Sequence, residues 1–350
     1  MSTIQTRRLT YLVTGGSGYL GSLMVRRLFN LGARVRVFDL VDDLDRPRQV
    51  DFIQGDIRDY PLVRRACEKV EVIFHAVAQV PLARDRKLFW SVNRNGTENL
   101  LKAAKEVGVK KIIYISSTAV FGIPPRNPID ETVEPHPHED FGRTKLEGEK
   151  LCRQYLEKGL DITIIRPRAM VGRGRLGIFQ ILFDWIAEGR TVYVLGKGDN
   201  LYQFVHVEDV IEACIKASER PGFAVYNLGA ERFGTLRESL EGLIAHAKTG
   251  SRVKSLPVLP AVTMMKLLSA LRLVPLAPYH YLTYGKESYY DISRAKQELN
   301  WQPKWGNIDM LIDSYEWYLA HREQIKTSTV ASTHRSPVKE GALRILRWFS

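Results

Sequence analysis

The chain has 350 residues, and its apolar share of 45% is typical of a folded protein, which excludes disorder over the whole length. The 51 basic residues outnumber the 39 acidic ones and give a net charge of +12, which suits a phosphate-bearing ligand, nucleic acid or an anionic membrane without choosing among them. Three widely spaced cysteines lack a CxxC pair, so they predict no metal site and no disulfide framework, and they favour a reducing, cytoplasmic location.

Strands and helices alternate along the first half of the chain. An apolar segment at residues 9–13 predicts a strand, a glycine-rich turn occupies 14–21, and a helical pattern follows. Further strands are predicted at residues 34–38, 51–53, 72–75, 111–116 and 162–166, and a long helix at about 139–156. This alternation predicts an α/β fold of the Rossmann type, a doubly wound parallel sheet with helices on both faces.

Gly15, Gly18 and Gly21 have the spacing of a turn that approaches a pyrophosphate and opens a helix whose N-terminal N–H groups favour anionic oxygens. Asp39 follows 18 positions after Gly21 at a predicted strand end, where its carboxylate would accept hydrogen bonds from ribose hydroxyls and repel a 2′-phosphate. The pattern predicts NAD as the cofactor, and nearby arginines keep NADP as the less favoured alternative. Asp56 ends the third strand and is predicted either to reach the adenine edge or to cap a helix.

The spacing of elements becomes irregular after residue 166 and predicts a smaller, mixed α/β substrate region. We assign residues 1–166 to a dinucleotide-binding domain, to which segments near 190–230 return, and residues 167–325 mainly to substrate binding. Residues 326–350 are rich in serine, threonine, proline and charge and predict a flexible basic tail, whose apolar end leaves open a weak contact with a membrane surface or a partner.

Residues 256–279 are rich in leucine and methionine, but charges and prolines interrupt them, so the stretch falls short of the roughly 20 apolar residues that a membrane-spanning helix needs. It predicts a helical lid or an interfacial patch. Its apolar side chains would either wall a pocket for a lipid-like substrate or pack against the dinucleotide-binding domain.

Six motifs resemble, in order, those of one known group of enzymes. They are the glycine loop at 14–21, HAVA at 75–78, NRNGT at 93–97, YISSTAVFG at 114–122, Arg-Pro at 166–167 and FVHVEDV at 204–210. The group is the extended short-chain dehydrogenase/reductase superfamily, which includes NAD-dependent epimerases and dehydratases and the 3β-hydroxysteroid dehydrogenases. Beyond the glycines and aspartates above, the resemblance implies cofactor contacts at Tyr19, Leu20, Ile57, Ala76, Ala78 and Asn93.

The same resemblance implies a catalytic serine, tyrosine and lysine. The serine matches Ser117, and the lysine matches Lys145, which is also expected to bind the cofactor ribose. Residues four apart project from one helical face, so the lysine charge would lower the pKa of the tyrosine, which exchanges a proton with the substrate oxygen. In this chain the tyrosine position holds Phe141.

A phenyl ring keeps the shape of tyrosine but carries no proton, so we expect binding to survive and turnover to fall by about 10²–10⁴-fold. Phe141 is explained either by a deliberate substitution that traps a complex or by a native chain that has lost or rerouted its acid/base group, with His136 or His138 as candidates. Ordinary core packing of Phe141 in a protein without redox activity would leave Lys145 and Ser117 without a purpose.

Thr118, Arg168 and Tyr202 are the predicted substrate contacts. Tyr202 stands where many nucleotide-sugar enzymes of the group have an arginine that clamps a diphosphate, and this favours a sterol-like or other apolar, cyclic substrate. We therefore predict an NAD-dependent oxidoreductase of the 3β-hydroxysteroid or sterol dehydrogenase type, which transfers hydride between nicotinamide and a secondary alcohol or ketone. A nucleotide-sugar epimerase or dehydratase and a catalytically inactive NAD-binding protein are the alternatives.

The expected partners are otherwise few. The positive charge is scattered, and no basic helix with interleaved aromatic residues predicts nucleic-acid binding. The resemblance implies a homodimer, and the apolar stretch at 256–279 allows peripheral membrane contact of an otherwise cytoplasmic protein.

Overall fold

The computed structural model describes residues 9–80, 85–271, 273–274 and 283–327. Its strands, in chain order, are β1 Thr10–Thr14, β2 Arg34–Asp39, β3 Asp51–Gln54, β4 Val72–His75, β5 Lys111–Ile115, β6 Ile162–Pro167, β7 Met170–Val171, β8 Val192–Leu195, β9 Leu201–Tyr202, β10 Val205–His206, β11 Ala224–Leu228, β12 Gly234–Thr235 and β13 Val253–Leu256. Each strand predicted above lies within one residue of its observed bounds.

The helices, in chain order, are α1 Tyr19–Asn30, α2 Tyr60–Cys67, α3 Arg86–Phe89, α4 Thr97–Val107, α5 Asp140–Glu157, α6 Ile178–Ala187, α7 Val207–Glu219, α8 Leu236–Ala247, α9 Val258–Ala270, α10 Ser293–Glu298 and α11 Asn307–Thr327. A π-helical segment, Trp90–Gly96, joins α3 to α4, and a 3₁₀-helix, Thr118–Phe121, follows β5.

Seven strands form one parallel sheet in the order β11-β6-β5-β4-β1-β2-β3. The order runs outward from β1 in both directions, which is the arrangement of a doubly wound nucleotide-binding fold and confirms the predicted fold class. Three two-stranded sheets lie outside it: β7 pairs with β10, β9 with β12 and β8 with β13. Thus β11 returns to the main sheet, whereas β8 does not.

Neighbouring residues of each strand point to opposite sides of the sheet. Helices cover both sides, so both faces of the sheet are buried. In β1, Val13 packs in a core cluster that includes residues of α1 and α7, and Leu12 packs in a second cluster with residues of α2, α4 and α5. Both side chains are fully buried. A third cluster draws on α6, α8 and α11 and forms the core of the later region.

A buried ion pair attaches α5 to the sheet. Arg166 of β6 donates from Nη2 to Glu149 Oε2 at 2.6 Å and from Nε to Glu149 Oε1 at 2.9 Å. Ser116, just beyond β5, donates its hydroxyl to the same carboxylate at 2.5 Å. Both ionic side chains are almost inaccessible to solvent. The carboxylate therefore sets the position of α5 against the ends of β5 and β6.

The last described helix, α11, overlaps the start of the predicted tail. Helix α11 continues through Thr327, so the predicted tail begins two residues too early at 326, because those residues extend a helix that packs on the third core cluster. Residues 328–350 lie outside the described part of the chain.

The apolar stretch predicted at 256–279 contains α9, and none of the side chains of this helix is buried. Val258, Leu259, Met264 and Leu267 are all more than two-fifths exposed. The alternative in which this stretch packs against the dinucleotide-binding domain is therefore wrong for α9, while residues 272 and 275–282 lie outside the described chain. Within the described residues, no helix is both long and apolar enough to cross a bilayer.

Removing the charge of Glu149 tests the attachment of α5. We expect Glu149→Gln to lower the free energy of unfolding by about 3 kcal/mol, because the substitution leaves the Arg166 guanidinium buried without its counter-charge. Urea denaturation followed by circular dichroism measures the change.

Glu147→Gln is the matched control on the same helix. Glu147 pairs with Lys150 at the surface, so its loss is expected to cost less than about 0.5 kcal/mol. Equal effects of the two substitutions would show that the buried pair does not hold α5.

Candidate active site

The candidate site lies where the strand order reverses, between β1 and β4. Ligands of open α/β sheets bind outside the carboxyl ends of the strands at such a switch point. The ends of β1, β4 and β5 lie side by side here, since β4 pairs in parallel with both neighbours. The residues that follow these three strands therefore lie at the expected ligand site.

The glycine loop after β1 leaves no room for a side chain at Gly15 or Gly21. Gly15 has a φ of +73°, and a Cβ on it would lie 2.8 Å from the backbone nitrogen of Val77, while a Cβ on Gly21 would overlap the carbonyl oxygen of Gly15. Gly18 is the N-cap of α1 and offers no side-chain cap. The first N–H groups of α1, from Tyr19 and Leu20, therefore meet whatever anion enters this cradle. These features fit the diphosphate of a dinucleotide.

Asp39 ends β2 beside the glycine loop, as predicted. Its Oδ2 accepts a hydrogen bond from the backbone N–H of Ser17 at 2.9 Å, and its Oδ1 accepts one from Leu40 at 2.7 Å. Burial raises the pKa of Asp39, and these backbone donors oppose the rise. The carboxylate thus supports the loop while its remaining lone pairs can serve ribose hydroxyls.

Asp56 follows β3 and binds the guanidinium of Arg58, whose hydrogen bonds lower the pKa of the aspartate. The cap of α2 is Asp59, which accepts from Leu62 N at 3.2 Å, so the alternative of Asp56 as a helix cap is wrong. The neighbouring Ile57 is buried, and its side chain faces the crowded Gly96.

Asn93 ties the segment after β4 to α5. Its side chain accepts from Gln79 N at 2.7 Å and donates to Gln79 O and to Thr144 Oγ1, each at 3.1 Å. Earlier in the same segment, Ala76 donates its N–H to Thr14 O at 3.0 Å beside the glycine loop, and Ala78 is half-buried. The predicted cofactor contacts after β4 are therefore held between the loop and α5.

Lys145 is buried in α5 at the end of β5. Its Nζ donates to the carbonyl oxygen of Ile115 at 2.7 Å and lies 5.2 Å from the ring centroid of Tyr114. Burial lowers the pKa of Lys145 to about 8. Ser117, two residues beyond β5, accepts a hydrogen bond from Ala119 N on its hydroxyl oxygen at 3.1 Å, and so orients that hydroxyl at the start of the 3₁₀-helix.

Phe141 lies in the first turn of α5, one helical turn before Lys145. Glu139 caps this helix by accepting hydrogen bonds from Phe141 N and Gly142 N, each at 2.7 Å. The phenyl side chain is half-buried and is not one of the buried core residues. Packing in the core therefore does not explain the phenylalanine at this position. Position 141 lies one turn before Lys145 and carries no acid/base group.

An open cleft of about 380 Å³ is bordered by Thr118, which follows Ser117 in the chain, and by Glu139, which caps the helix of position 141. Its lining includes Thr118, His138, Glu139, Arg168, Ser288 and Tyr290. Two of the three predicted substrate contacts, Thr118 and Arg168, thus border one cavity. None of the described lining residues belongs to α9, so the apolar wall predicted from residues 256–279 stays a prediction.

The third predicted contact, Tyr202, is completely buried. Its ring lies 4.4 Å from the guanidinium carbon of Arg168 and packs on Tyr284 with centroids 5.5 Å apart. Tyr202 therefore supports Arg168 from behind. Of the two candidate proton carriers, His138 lines the cleft, whereas His136 is exposed beside Glu134.

Sequence reasoning missed the buried His75 as a site residue. Its Nδ1 lies 2.7 Å from Thr14 Oγ1, and its Nε2 lies 3.0 Å from Thr97 Oγ1. Burial, with the nearby Lys145 charge, lowers the pKa of His75 to about 3, so the ring is neutral and links β1, β4 and α4. The available signal was a polar residue at the end of an otherwise apolar strand. Glu139 and the cleft residues after 283 gave no comparable signal.

A model of the NAD dependent epimerase/dehydratase family matches residues 11–229. The chain belongs to this family. The matched range contains the seven-stranded sheet up to β11, the glycine loop, Ser117, position 141 and Lys145. The resemblance inferred from the motifs is therefore confirmed.

Several known proteins are similar to this chain. Uncharacterized protein y4nG of Sinorhizobium fredii is 48% identical over 338 residues, which are 96% of this chain and 85% of that protein. Sterol-4-alpha-carboxylate 3-dehydrogenase, decarboxylating, of Homo sapiens is 34% identical over 221 residues, which cover 62% of this chain and 58% of the relative's length. UDP-glucose 4-epimerase of Thermotoga maritima, solved with UDP-glucose, matches with a TM-score of 0.76 and 25% identity over 90% of this chain and 100% of that one.

The family and these relatives together make the chain an NAD-dependent enzyme of the dehydrogenase and epimerase class. The relatives' names include both a sterol and a sugar nucleotide, so the substrate has to be argued from the residues of this cleft.

The buried charge of Lys145 predicts an unusual stability profile. Because its folded pKa of about 8 lies below the unfolded value, the folded chain carries the desolvated charge at full cost below pH 8. The cost falls as the pH rises from 8 towards the unfolded pKa. We expect Lys145→Met to be more stable than the native protein at pH 7, by up to about 3 kcal/mol, and the difference to halve by about pH 9.5.

Urea unfolding at the two pH values measures this difference. Lys150→Met is the control, since Lys150 is an exposed residue of the same helix and its replacement is expected to have a small effect that does not change with pH. A Lys145→Met protein that is less stable at both pH values would contradict the assignment of a desolvated ammonium group.

Proposed function

We propose that the chain is an NAD-dependent oxidoreductase of the 3β-hydroxysteroid or sterol dehydrogenase type. One observation carries the proposal: the ammonium group of Lys145 is buried at the end of β5, beside Ser117 and one turn after position 141. A buried cation lowers stability unless pairing compensates its lost hydration, so its presence here supports a role in binding a ligand. The crowded glycine loop at the end of β1, which β4 separates from β5, fits the dinucleotide that Lys145 would bind.

Each residue has a distinct role in the proposed reaction. The N–H groups at the start of α1 bind the diphosphate, Asp39 accepts hydrogen bonds from the adenosine ribose, and Lys145 donates to the nicotinamide ribose. The bound nicotinamide supplies the hydride acceptor or donor. Ser117 orients the substrate oxygen, and residue 141 moves the proton at that oxygen when it is tyrosine.

NAD is favoured over NADP by the surroundings of Asp39. A carboxylate at the end of the second strand is expected to accept hydrogen bonds from the ribose hydroxyls and to repel a 2′-phosphate. Of the arginines near it, Arg46 donates from Nε and Nη2 to Asp42 at 2.7 and 2.8 Å, and Arg36 donates to Ala66 O at 2.9 Å. Those two guanidinium groups are engaged within the protein, which supports the assignment of NAD.

The substrate class follows from Arg168. Its guanidinium borders the cleft, lies over the rings of Tyr202 and Tyr290, and is almost inaccessible to solvent. A planar fork of donors in such a place suits a carboxylate. We therefore propose a cyclic, apolar secondary alcohol or ketone that carries a carboxylate near the reacting oxygen, which agrees with the name of the sterol-carboxylate relative.

Thermal shift separates this substrate class from its rivals, because a ligand that binds only the folded protein raises the melting temperature. With NAD present, we expect a sterol 4-carboxylate to stabilise the protein and the same sterol without its carboxylate to do so much less. Arg168→Met should weaken carboxylate binding by about 10- to 100-fold. Stabilisation by UDP-glucose alone would favour a nucleotide-sugar epimerase.

Restoring the hydroxyl at position 141 tests the catalytic role of the site. We expect Phe141→Tyr to raise kcat by about 10²–10⁴-fold, because proton transfer regains a positioned carrier. The measurement is the absorbance of reduced nicotinamide during turnover of the sterol panel. An epimerase would convert its sugar nucleotide without net change in this absorbance.

Phe141→Leu is the matched control and is expected to stay as slow as the native chain. Calorimetric titration should give equal NAD affinity for all three proteins and weaker binding of NADP. Suppose that the three proteins bind NAD equally and NADP more weakly, but Phe141→Tyr raises kcat with no substrate. The chain is then an NAD-binding protein without this catalysis. If the native chain is already fast, the proton is carried by another group, with His138 in the cleft as the candidate.

We also propose peripheral membrane contact and a homodimer. The exposed apolar side chains of α9 and the net charge of +12 support contact with an anionic membrane surface. The homodimer rests on the family resemblance alone.

A further inference from the structure

A glycine-rich segment after β7 lies against the first residue of α1. Gly172 and Gly174 have φ angles of +141° and +81°. A Cβ on Gly172 would lie 3.0 Å from the hydroxyl oxygen of Tyr19, and a Cβ on Gly174 would lie 3.9 Å from Cε2 of the same ring. The guanidinium carbon of Arg175 lies 5.6 Å from the Tyr19 ring centroid. The segment therefore brings Arg175 beside the start of α1.

Arg175 is half-buried, and part of its guanidinium lies out of reach of solvent. Its Nε donates to Met170 O at 3.3 Å, but its Nη1 is inaccessible to solvent and has no hydrogen-bond partner. Among the described residues, no carboxylate forms an ion pair with it. Burial lowers the pKa of Arg175 to about 10, and only the phenols of Tyr19 and Tyr284 oppose this shift. A partly buried guanidinium in this condition is costly, and an anion would relieve it.

The start of α1 also lacks a negative counter-charge among the described residues. The helix has twelve residues, its N-cap is a glycine without a side-chain hydrogen bond, and its first turn contains no acidic residue. Its N–H groups and the positive end of its dipole therefore face the glycine loop without a counter-charge. Two positive features thus adjoin one another with no negative group of the described chain between them.

We propose that Arg175 is a ligand of the cofactor diphosphate and completes the anion site at the start of α1. The proposal rests on the dinucleotide site argued above and adds a residue from the substrate region to it. The Tyr19 ring supports the guanidinium as a flat platform. Binding of the diphosphate would at once pair this cation and fasten the segment after β7 over the cofactor.

Arg173 shows what an ordinary arginine of the same segment does. It is largely exposed and donates from Nε to Asp313 at 2.8 Å. It has a carboxylate partner and needs no ligand. Two arginines separated by one glycine therefore differ in the property that the proposal concerns, and Arg173→Met is a control matched in chemistry and position.

Calorimetric titration of the native protein, Arg175→Met and Arg173→Met tests the proposal. The ligands are NAD, ADP-ribose, which keeps the diphosphate but lacks nicotinamide, and adenosine, which lacks the diphosphate. We expect Arg175→Met to weaken the binding of NAD and of ADP-ribose by the same factor, about 10- to 100-fold. The affinity for adenosine should not change. Arg173→Met should bind all three as the native protein does.

Melting temperature without ligand supplies a second readout. We expect Arg175→Met to melt at or above the native temperature, because it removes a partly buried charge that has no carboxylate partner, and to gain less from NAD. If Arg175→Met binds ADP-ribose like the native protein, or loses NAD alone, Arg175 does not bind the diphosphate. If the native protein binds neither NAD nor ADP-ribose, it is the proposed function that fails.

Discussion

The carboxylate of Glu149 is the counter-charge on which this site depends. It forms an ion pair with Arg166, accepts the hydroxyl of Ser116, and lies close enough to Lys145 to favour the charge of that lysine. Without it, two cations would be buried at the end of the sheet with no negative group to balance them. Together with the backbone pairing of β5 and β6 and the packing of α5 in the second core cluster, this carboxylate fixes the relation of Ser117 to Lys145.

The cations around the site share a second feature. Each lies over an aromatic ring, with Lys145 above Tyr114, Arg166 above Phe121, Arg168 above Tyr202 and Arg175 above Tyr19. An aromatic face offers partial negative charge without a competing carboxylate. The aromatic faces help to hold these groups in place, and Arg166 has the carboxylate of Glu149 in addition. It also explains why a tyrosine such as Tyr202 can matter although it is fully buried.

Much of the sheet and of the cofactor side of the site can be predicted from sequence. Strand positions follow from local apolar patterns, and the glycine loop with Asp39 occupies a continuous stretch between β1 and the end of β2. Position 141 and Lys145 are also neighbours on one helix. In these cases, the interaction that fixes the residue is local, so the sequence displays it directly.

The substrate side is less predictable because its contacts join distant segments. Ser288 and Tyr290 reach the cleft across more than a hundred residues from Thr118, and Arg175 meets Tyr19 across a similar separation. The exposure of α9 likewise depends on what other segments leave uncovered. An apolar pattern states that burial is favourable, but it does not name the surface that provides it.

Asp39 illustrates a further consequence of the fold. The same carboxylate that we propose to bind the adenosine ribose also accepts the N–H of Ser17 within the glycine loop. Specificity for one dinucleotide and rigidity of the phosphate cradle therefore share a single atom group. An engineer who exchanged Asp39 to admit a phosphorylated ribose would also loosen the turn that grips the rest of the molecule, unless the redesign gave Ser17 a new acceptor.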